Sequence, residues 1–467
     1  MLKKAFLVVS GNAFGSALLL LRNLIIARLV TPHDYGIAST FAISMSIVEM
    51  LSYVGLNQLM VVDKDGDDDR FQRAMQGFQV MRGMLSSLIL VLIAHPYASF
   101  LEIPELAWAY QVIALIPLVN GLQHFDMHRL KRHMNFRPFI ATQSIPPLIS
   151  VLLIWPIAMI YDDYRIMLVS LFVQAGSMVV LSHLMAERPY RLALDMALIR
   201  KAMVFGWPLL INGVLLFGVF NGERLIVGRE LGMAQLAVFS MAITLTLTPT
   251  LVLGGAAQSL FLPKLTAARE DARSFNWFGV ASVEGGLAIG LLLLLGTLLL
   301  GGPIVHLLLG AKYEAMLTIL IPMAVMQALR VAKTGASTVA LAKGRSGNSA
   351  VANIFRVISL PVSWYAVVQT GSVYAVLAIA MVAEALGYIV SLHLAARRTG
   401  LLLKPMLLPS GLFALACGAA LIEEQLLAPQ TGWVANLHWT RWVVAAIIVA
   451  GLVSMSGLRG YLIRQFR

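Results

Sequence analysis

Charge and cysteine are what this 467-residue sequence has least of. Its single cysteine, Cys417, lies in an apolar run, so one chain can build neither an internal disulfide nor a thiolate metal site. Charged residues make up 12% of the chain, about half the share found in soluble domains. Hydrophobic residues make up 59% and the mean hydropathy is +0.81. The apolar runs exceed about 18 residues and lack the alternation of barrel strands, which excludes an outer-membrane barrel. An all-α integral membrane protein is expected. Acidic residues number 23 against 35 basic ones, giving a net charge of +12. In a soluble chain that balance would suggest nucleic acid, but basic loops on one side of a membrane account for it here, and no nucleic-acid partner is expected.

Apolar windows of about 20 residues give about fourteen spans, the first near 5 to 27 and the last near 440 to 458. Among them are windows at 36 to 62, 203 to 227 and 233 to 262. Placing Lys3 and Lys4 in the cytoplasm and alternating sides puts most basic clusters inside, including Arg129/Lys131/Arg132/Arg137 and Arg188/Arg191/Arg200/Lys201. Both termini are then cytoplasmic. The first run is read as a retained helix, because it is too long for a secretory signal and contains Arg22. The longest outside connection, Gln425 to His438, has no acidic or basic residue, and every loop is too short for a catalytic domain.

A shift of about 200 residues brings Ile25-Ile26-Ala27-Arg28 onto Ile226-Val227-Gly228-Arg229, and Arg22-Asn23 onto Glu223-Arg224. Six spans precede the basic linker and six follow it, so the repeats are expected to be parallel, with a substrate site between the halves. The expected domains are a six-helix lobe over 1–190, a second over 191–400, and two further helices over 401–467.

Six basic residues remain inside spans: Arg22, Arg82, Arg224, Arg330, Lys333 and Arg356. A cation in hydrocarbon costs roughly 2.5 to 3.5 kcal/mol, so such residues face protein or a water-filled interior. A cationic cavity suits an anion in transit. Arg330 and Lys333 are three apart and share a helix face that continues through Thr334 and Ser337. Arg82 is near enough to a span end to snorkel or to face a lumen. The alternative is that the cations neutralise Glu49, Glu223, Glu284 and Glu384 in structural pairs. Glu49 and Glu223 are candidate ion-coupling residues, Glu49 having Ser46 and Tyr53 on its face. Asn12 and Asn23 offer amides for sugar recognition or for helix packing beside Gly11 and Gly15.

Two motifs do not hold up as metal sites, and no cofactor is implied. In Asp63-Lys64-Asp65-Gly66-Asp67-Asp68-Asp69 the calcium-loop glycine and glutamate positions hold Asp68 and Ala74, so a solvated turn is expected. His124 and His128 are four apart but lack the zincin glutamate and a third ligand.

The opening Gly11-Asn12-Ala13-Phe14-Gly15, the turn Arg28-Leu29-Val30-Thr31-Pro32-His33-Asp34-Tyr35-Gly36 and the loop Arg129-Leu130-Lys131-Arg132-His133-Met134-Asn135-Phe136-Arg137-Pro138 resemble polysaccharide transporters of the multidrug/oligosaccharidyl-lipid/polysaccharide exporter superfamily, and most of all Wzx-type flippases. The resemblance implies two six-helix lobes plus two helices, and transfer of polyprenyl-diphosphate-linked oligosaccharides to the periplasmic leaflet of the bacterial inner membrane for polysaccharide biosynthesis. It also implies membrane lipid, a polysaccharide polymerase and chain-length machinery as candidate partners. Guanidinium forks suit diphosphate oxygens, so Arg22, Arg224, Arg330, Lys333 and Arg356, with Asn12 and Asn23, are the candidate substrate-binding residues. Two other classes stand against this reading. A membrane-embedded polymerase or lipid-linked glycosyltransferase would need catalytic groups in a sizeable loop, and a drug or cation exporter would favour carboxylates over arginines.

Overall fold

The computed structural model describes residues 2–345, 347–427 and 439–465, and every regular element among them is helical. The side chains of Lys3, Lys4, Asn12 and Arg467, and most of the connection from Gln425 to His438, lie outside the described residues. The chain forms two compact units, Met1–Ala237 and Val238–Arg467.

The first unit contains α1 (Leu2–Leu29), α2 (Pro32–Leu51), α3 (Leu56–Val62), α4 (Asp69–Phe100), α5 (Ala107–Ile113), α6 (Leu115–Gly121), α7 (Asp126–Arg132), α8 (Arg137–Leu152), α9 (Ile154–Ala158) and α10 (Arg165–Leu184). It also holds the first arm of α11 (Met196–Ala267). The turn into α2 follows from its sequence. Thr31 accepts a hydrogen bond from the Asp34 amide at 3.1 Å, Pro32 opens the first turn, and the Asp34 carboxylate lies at the positive end of the helix dipole.

Nine helices among the described residues are long and apolar enough to cross a membrane, or up to eleven when each of two bent pairs counts as one. This tally does not reproduce fourteen. It takes α11 as one, although 72 residues at 1.5 Å each would reach about 108 Å against a hydrocarbon core of roughly 30 Å. The helix breaks at Gly232, whose φ of 82° and ψ of 173° are open to glycine and strained for other residues. The windows 203 to 227 and 233 to 262 are therefore two arms of one segment. The window 36 to 62 is divided instead, because α2 stops at Leu51 and α3 starts only at Leu56. Just beyond the Gly232 break, α2 passes so close that a Cβ at Gly36 would lie 1.9 Å from the Met233 carbonyl oxygen.

The second unit holds the rest of α11, α12 (Ala272–Leu308), α13 (Leu317–Ala342), α14 (Gly347–Thr370), α15 (Val373–Thr399), α16 (Leu407–Leu427), α17 (Trp439–Ser454) and α18 (Ser456–Gln465). Its core joins Leu287, Leu291 and Leu294 of α12 to Ile321 and Val325 of α13, Phe413 of α16 and Ile448 of α17. Lipid tails are as apolar as leucine, so close packing rather than escape from water holds these helices together. Glu284 of α12 accepts from the Leu458 amide at 2.6 Å, capping α18 where it turns 61° away from α17. That carboxylate satisfies a helix end, with Arg459 within electrostatic reach.

Candidate functional site

In the second unit, three helices bring cations to one carboxylate. Glu384 of α15 is fully buried; Arg330 Nε of α13 lies 2.8 Å from its Oε1, and Arg356 Nε of α14 lies 3.2 Å from the same oxygen. Lys333 Nζ reaches Oε2 at 2.5 Å and also donates to Asn353 Oδ1 at 3.2 Å. Arg356 Nη2 contacts Met326 Sδ at 3.4 Å. Three cations against one carboxylate leave a formal surplus of two positive charges.

Access to this cluster is uneven. Side-chain exposure is 13% for Arg330, 7% for Lys333 and 1% for Arg356. Between residues 330 and 341 of α13, only Arg330, Thr334, Ser337 and Leu341 escape full burial. These positions recur at helical spacing, so one narrow face is open and Arg330 begins it. The polar stripe expected from sequence is present, but Lys333 is turned off it toward Glu384.

In the first unit, Arg22 of α1 is buried and donates from Nη1 to Gln174 Oε1 of α10. Tyr35 of α2 is within electrostatic reach of both Arg22 and Arg224 of α11. Arg22 and Arg224 thus both act on one tyrosine, and buried Glu223 is next to Arg224 in sequence. Asn23 is half-buried. Neither Gln174 nor Tyr35 was singled out from sequence. Gln174 carried a signal nonetheless, as the one side-chain amide in an apolar span of 20 residues.

A second polar feature lies on α2. Ala42 and Glu49 are exposed and Ser46 and Tyr53 partly so, while Ile43, Ser44, Met45 and Val48 are buried. This is a polar face on an otherwise packed helix. Arg82 of α4 lies within electrostatic reach of Glu49 and Tyr53, and its Nη1 donates to the Ser52 carbonyl at 3.2 Å. Arg82 is therefore turned to the end of α2.

The acidic segment Asp63 to Asp69 is more than a solvated turn. Lys201 Nζ lies 2.8 Å from Asp63 Oδ1 and 3.0 Å from Asp65 Oδ2. Arg132 Nε and His133 Nε2 reach the two oxygens of Asp67 at 3.1 and 2.6 Å, and Arg70 forks onto Asp195. Burial alone would push Asp67 up, but His133 and Arg132 hold it below the usual aspartate range, and Lys201 does the same for Asp63. Asp126 is buried and receives Arg129 at 2.6 Å and the Glu187 amide at 2.7 Å. The acidic residues are consumed as anchors for α7, for the linker after α10 and for the start of α11. Among the described residues no group of three His, Cys, Asp or Glu side chains could hold a metal. His124 packs on the His183 and Tyr190 rings and His128 on Phe125 and Phe139, so the two histidines have separate surroundings.

The family model described as "Polysaccharide biosynthesis protein" matches residues 25–318, well over half of the chain. The chain belongs to this family. Among its curated relatives, the teichuronic acid biosynthesis protein TuaB of Bacillus subtilis is 21% identical over 78% of this chain and 77% of its own. The lipopolysaccharide biosynthesis protein WzxC of Escherichia coli is 20% identical over 71% of this chain and 68% of its own. Among solved structures, the lipid II flippase MurJ in an inward closed conformation aligns over 100% of both chains with a TM-score of 0.66 at 13% identity. A multidrug resistance MATE family transporter of the MOP superfamily, in an inward-facing conformation, aligns over 83% of this chain and 94% of its own, with a TM-score of 0.63 at 13% identity. At these identities the structural likeness establishes the fold, and this member of the polysaccharide biosynthesis family is a multi-pass helical membrane protein.

Proposed function

We propose that this family member is a flippase that moves polyprenyl-diphosphate-linked oligosaccharide units across the bacterial cytoplasmic membrane by alternating access, for polysaccharide biosynthesis. The observation that carries the reading is the surplus of positive charge around Glu384. Buried cations are costly unless they are paired, and in this cluster three cations share one carboxylate. A diphosphate supplies concentrated negative charge and several acceptor oxygens, which suit two guanidinium forks and an ammonium.

In this reading Arg330, Lys333 and Arg356 form one anion-binding group, and Arg22 and Arg224 with Tyr35 and Gln174 form another. Asn12 and Asn23 contribute to sugar recognition, and Glu49 with Glu223 couples an ion gradient to transfer. The exposed polar face around Glu49 supports that coupling role. The termini are cytoplasmic, and a polysaccharide polymerase with chain-length machinery takes up the delivered units. A cation exporter is disfavoured, because the cluster around Glu384 has more cations than carboxylates.

The test is complementation in a bacterium from which the chromosomal copy has been deleted. Restored surface polysaccharide with the wild-type chain, and lipid-linked units held in the inner leaflet when Arg330 and Arg356 are both replaced by glutamine, is the expected result. Normal surface polysaccharide in the deletion strain itself would contradict the assignment.

A further inference from the structure

We propose that Glu384 is an internal counter-anion that competes with the cargo's diphosphate for Arg330 and Arg356, and so sets how firmly the cargo is held. The inference rests on the flippase reading and adds a part that no relative's name supplies, namely how a highly cationic site lets an anion go.

The geometry has three elements. First, Glu384 Oε1 accepts a hydrogen bond from Arg330 Nε at 2.8 Å and pairs electrostatically with Arg356 Nε at 3.2 Å, so one oxygen stands against both guanidiniums where a phosphate oxygen would. Second, Oε2 is committed to Lys333 at 2.5 Å, which is tied in turn to Asn353, so the carboxylate is held by its lysine side even when its arginine side is vacated. Third, exposure grades across the cluster: Glu384 and Arg356 are sealed, whereas Arg330 opens the partly exposed face running through Thr334 and Ser337.

A diphosphate moving along that face meets Arg330 first. It carries more charge and more acceptor oxygens than a carboxylate, so it displaces Oε1 from the fork. When the cargo leaves, Glu384 Oε1 returns to the guanidiniums, so that the shared carboxylate again offsets the repulsion among the cations. Without such a stand-in, release would leave three cations facing one another. Glu384 is on this account a positioning residue that trades affinity for turnover.

The experiment uses the full chain in lipid nanodiscs, with a polyprenyl diphosphate as probe, and measures binding and thermal unfolding for the wild type, E384Q, R330Q and the double variant E384Q/K333M. The double variant keeps the formal charge surplus of the wild type, and it decides the matter if E384Q does not assemble. Expected is binding about tenfold tighter in E384Q and tighter than wild type in E384Q/K333M, with R330Q weaker. E384Q is also expected to unfold at lower temperature, so that stability and affinity move in opposite directions. Affinity in E384Q and E384Q/K333M equal to or below that of the wild type, with R330Q still weaker, overturns the counter-anion proposal and leaves the flippase reading intact. Binding that ignores all of these substitutions, R330Q included, overturns both.

Discussion

Arg330 and Arg356 approach the same oxygen, Oε1 of Glu384, from two different helices, at 2.8 and 3.2 Å. The carboxylate lies between these two like charges and offsets their repulsion. The carboxylate is thus the keystone of the arrangement, and each cation is one of three supports.

The asymmetry has a measurable consequence for stability. Glu384→Ala removes the carboxylate that three buried cations share, and the loss expected for breaking such a buried pairing is about 3 kcal/mol or more. Lys333→Met leaves two arginines on the carboxylate and is expected to cost less. Thermal or denaturant unfolding of the two purified variants compares them, and equal losses would show that the cations do not depend on a shared anion.

Gly36 is expected to be intolerant for a different reason. A Cβ there would sit 1.9 Å from the Met233 carbonyl oxygen, which is backbone and cannot rotate away. Gly36→Val must push α2 off the start of the second arm of α11, at a cost of about 1 to 3 kcal/mol from overpacking. The readout is unfolding temperature, and a variant as stable as the wild type would mean that the two helices do not approach so closely.

The ion pairs around the acidic segment set a pH dependence. Asp63 and Asp67 are held below the usual aspartate range, as is Asp195 through its bond to Arg70. A carboxylate whose folded value is depressed stabilises the fold at every pH above its unfolded value, and the contribution fades as pH falls through the folded one. Unfolding temperature should therefore not be lowered by loss of these pairs between pH 7 and pH 5, and should fall below about pH 4. Asp67→Asn should flatten part of that acid limb. An unchanged limb in Asp67→Asn would remove Asp67 from the explanation.

Much of this was legible in the sequence, because hydrocarbon leaves few alternatives. The apolar windows fall mainly on helix, with 36 to 62 interrupted between Leu51 and Leu56, and the intramembrane cations stand out against their surroundings. What hydropathy could not supply was rotation and partnership. Arg330 and Lys333 share a face by spacing, yet packing turns Lys333 to Glu384 while Arg330 opens the stripe. Glu384 was visible as one of four acidic residues at depth, but nothing in a linear sequence says that it gathers three cations while Glu284 caps α18. The acidic segment misled for a related reason. The partners of Asp63, Asp65 and Asp67 lie at the end of α7 and the start of α11, more than 60 residues away, so a run of aspartates read alone looks solvated.

Glu49 lies on the open polar face of α2 within reach of Arg82, which suits a carboxylate that exchanges an ion during transport. Glu49→Gln is expected to leave folding intact and to abolish the response of transfer to an imposed proton or sodium gradient. Gradient-dependent transfer at the wild-type rate in that variant would move the coupling role elsewhere.

The central claim is that cations at bilayer depth carry a lipid diphosphate, and leaflet-to-leaflet transfer of a defined polyprenyl-diphosphate oligosaccharide in proteoliposomes tests it most directly. The wild-type chain should accelerate transfer, and Arg330→Gln and Arg22→Gln should each slow it at least about tenfold while the proteins remain folded. Transfer at the protein-free rate with the wild-type chain, or at the wild-type rate with both arginines replaced, would contradict the account.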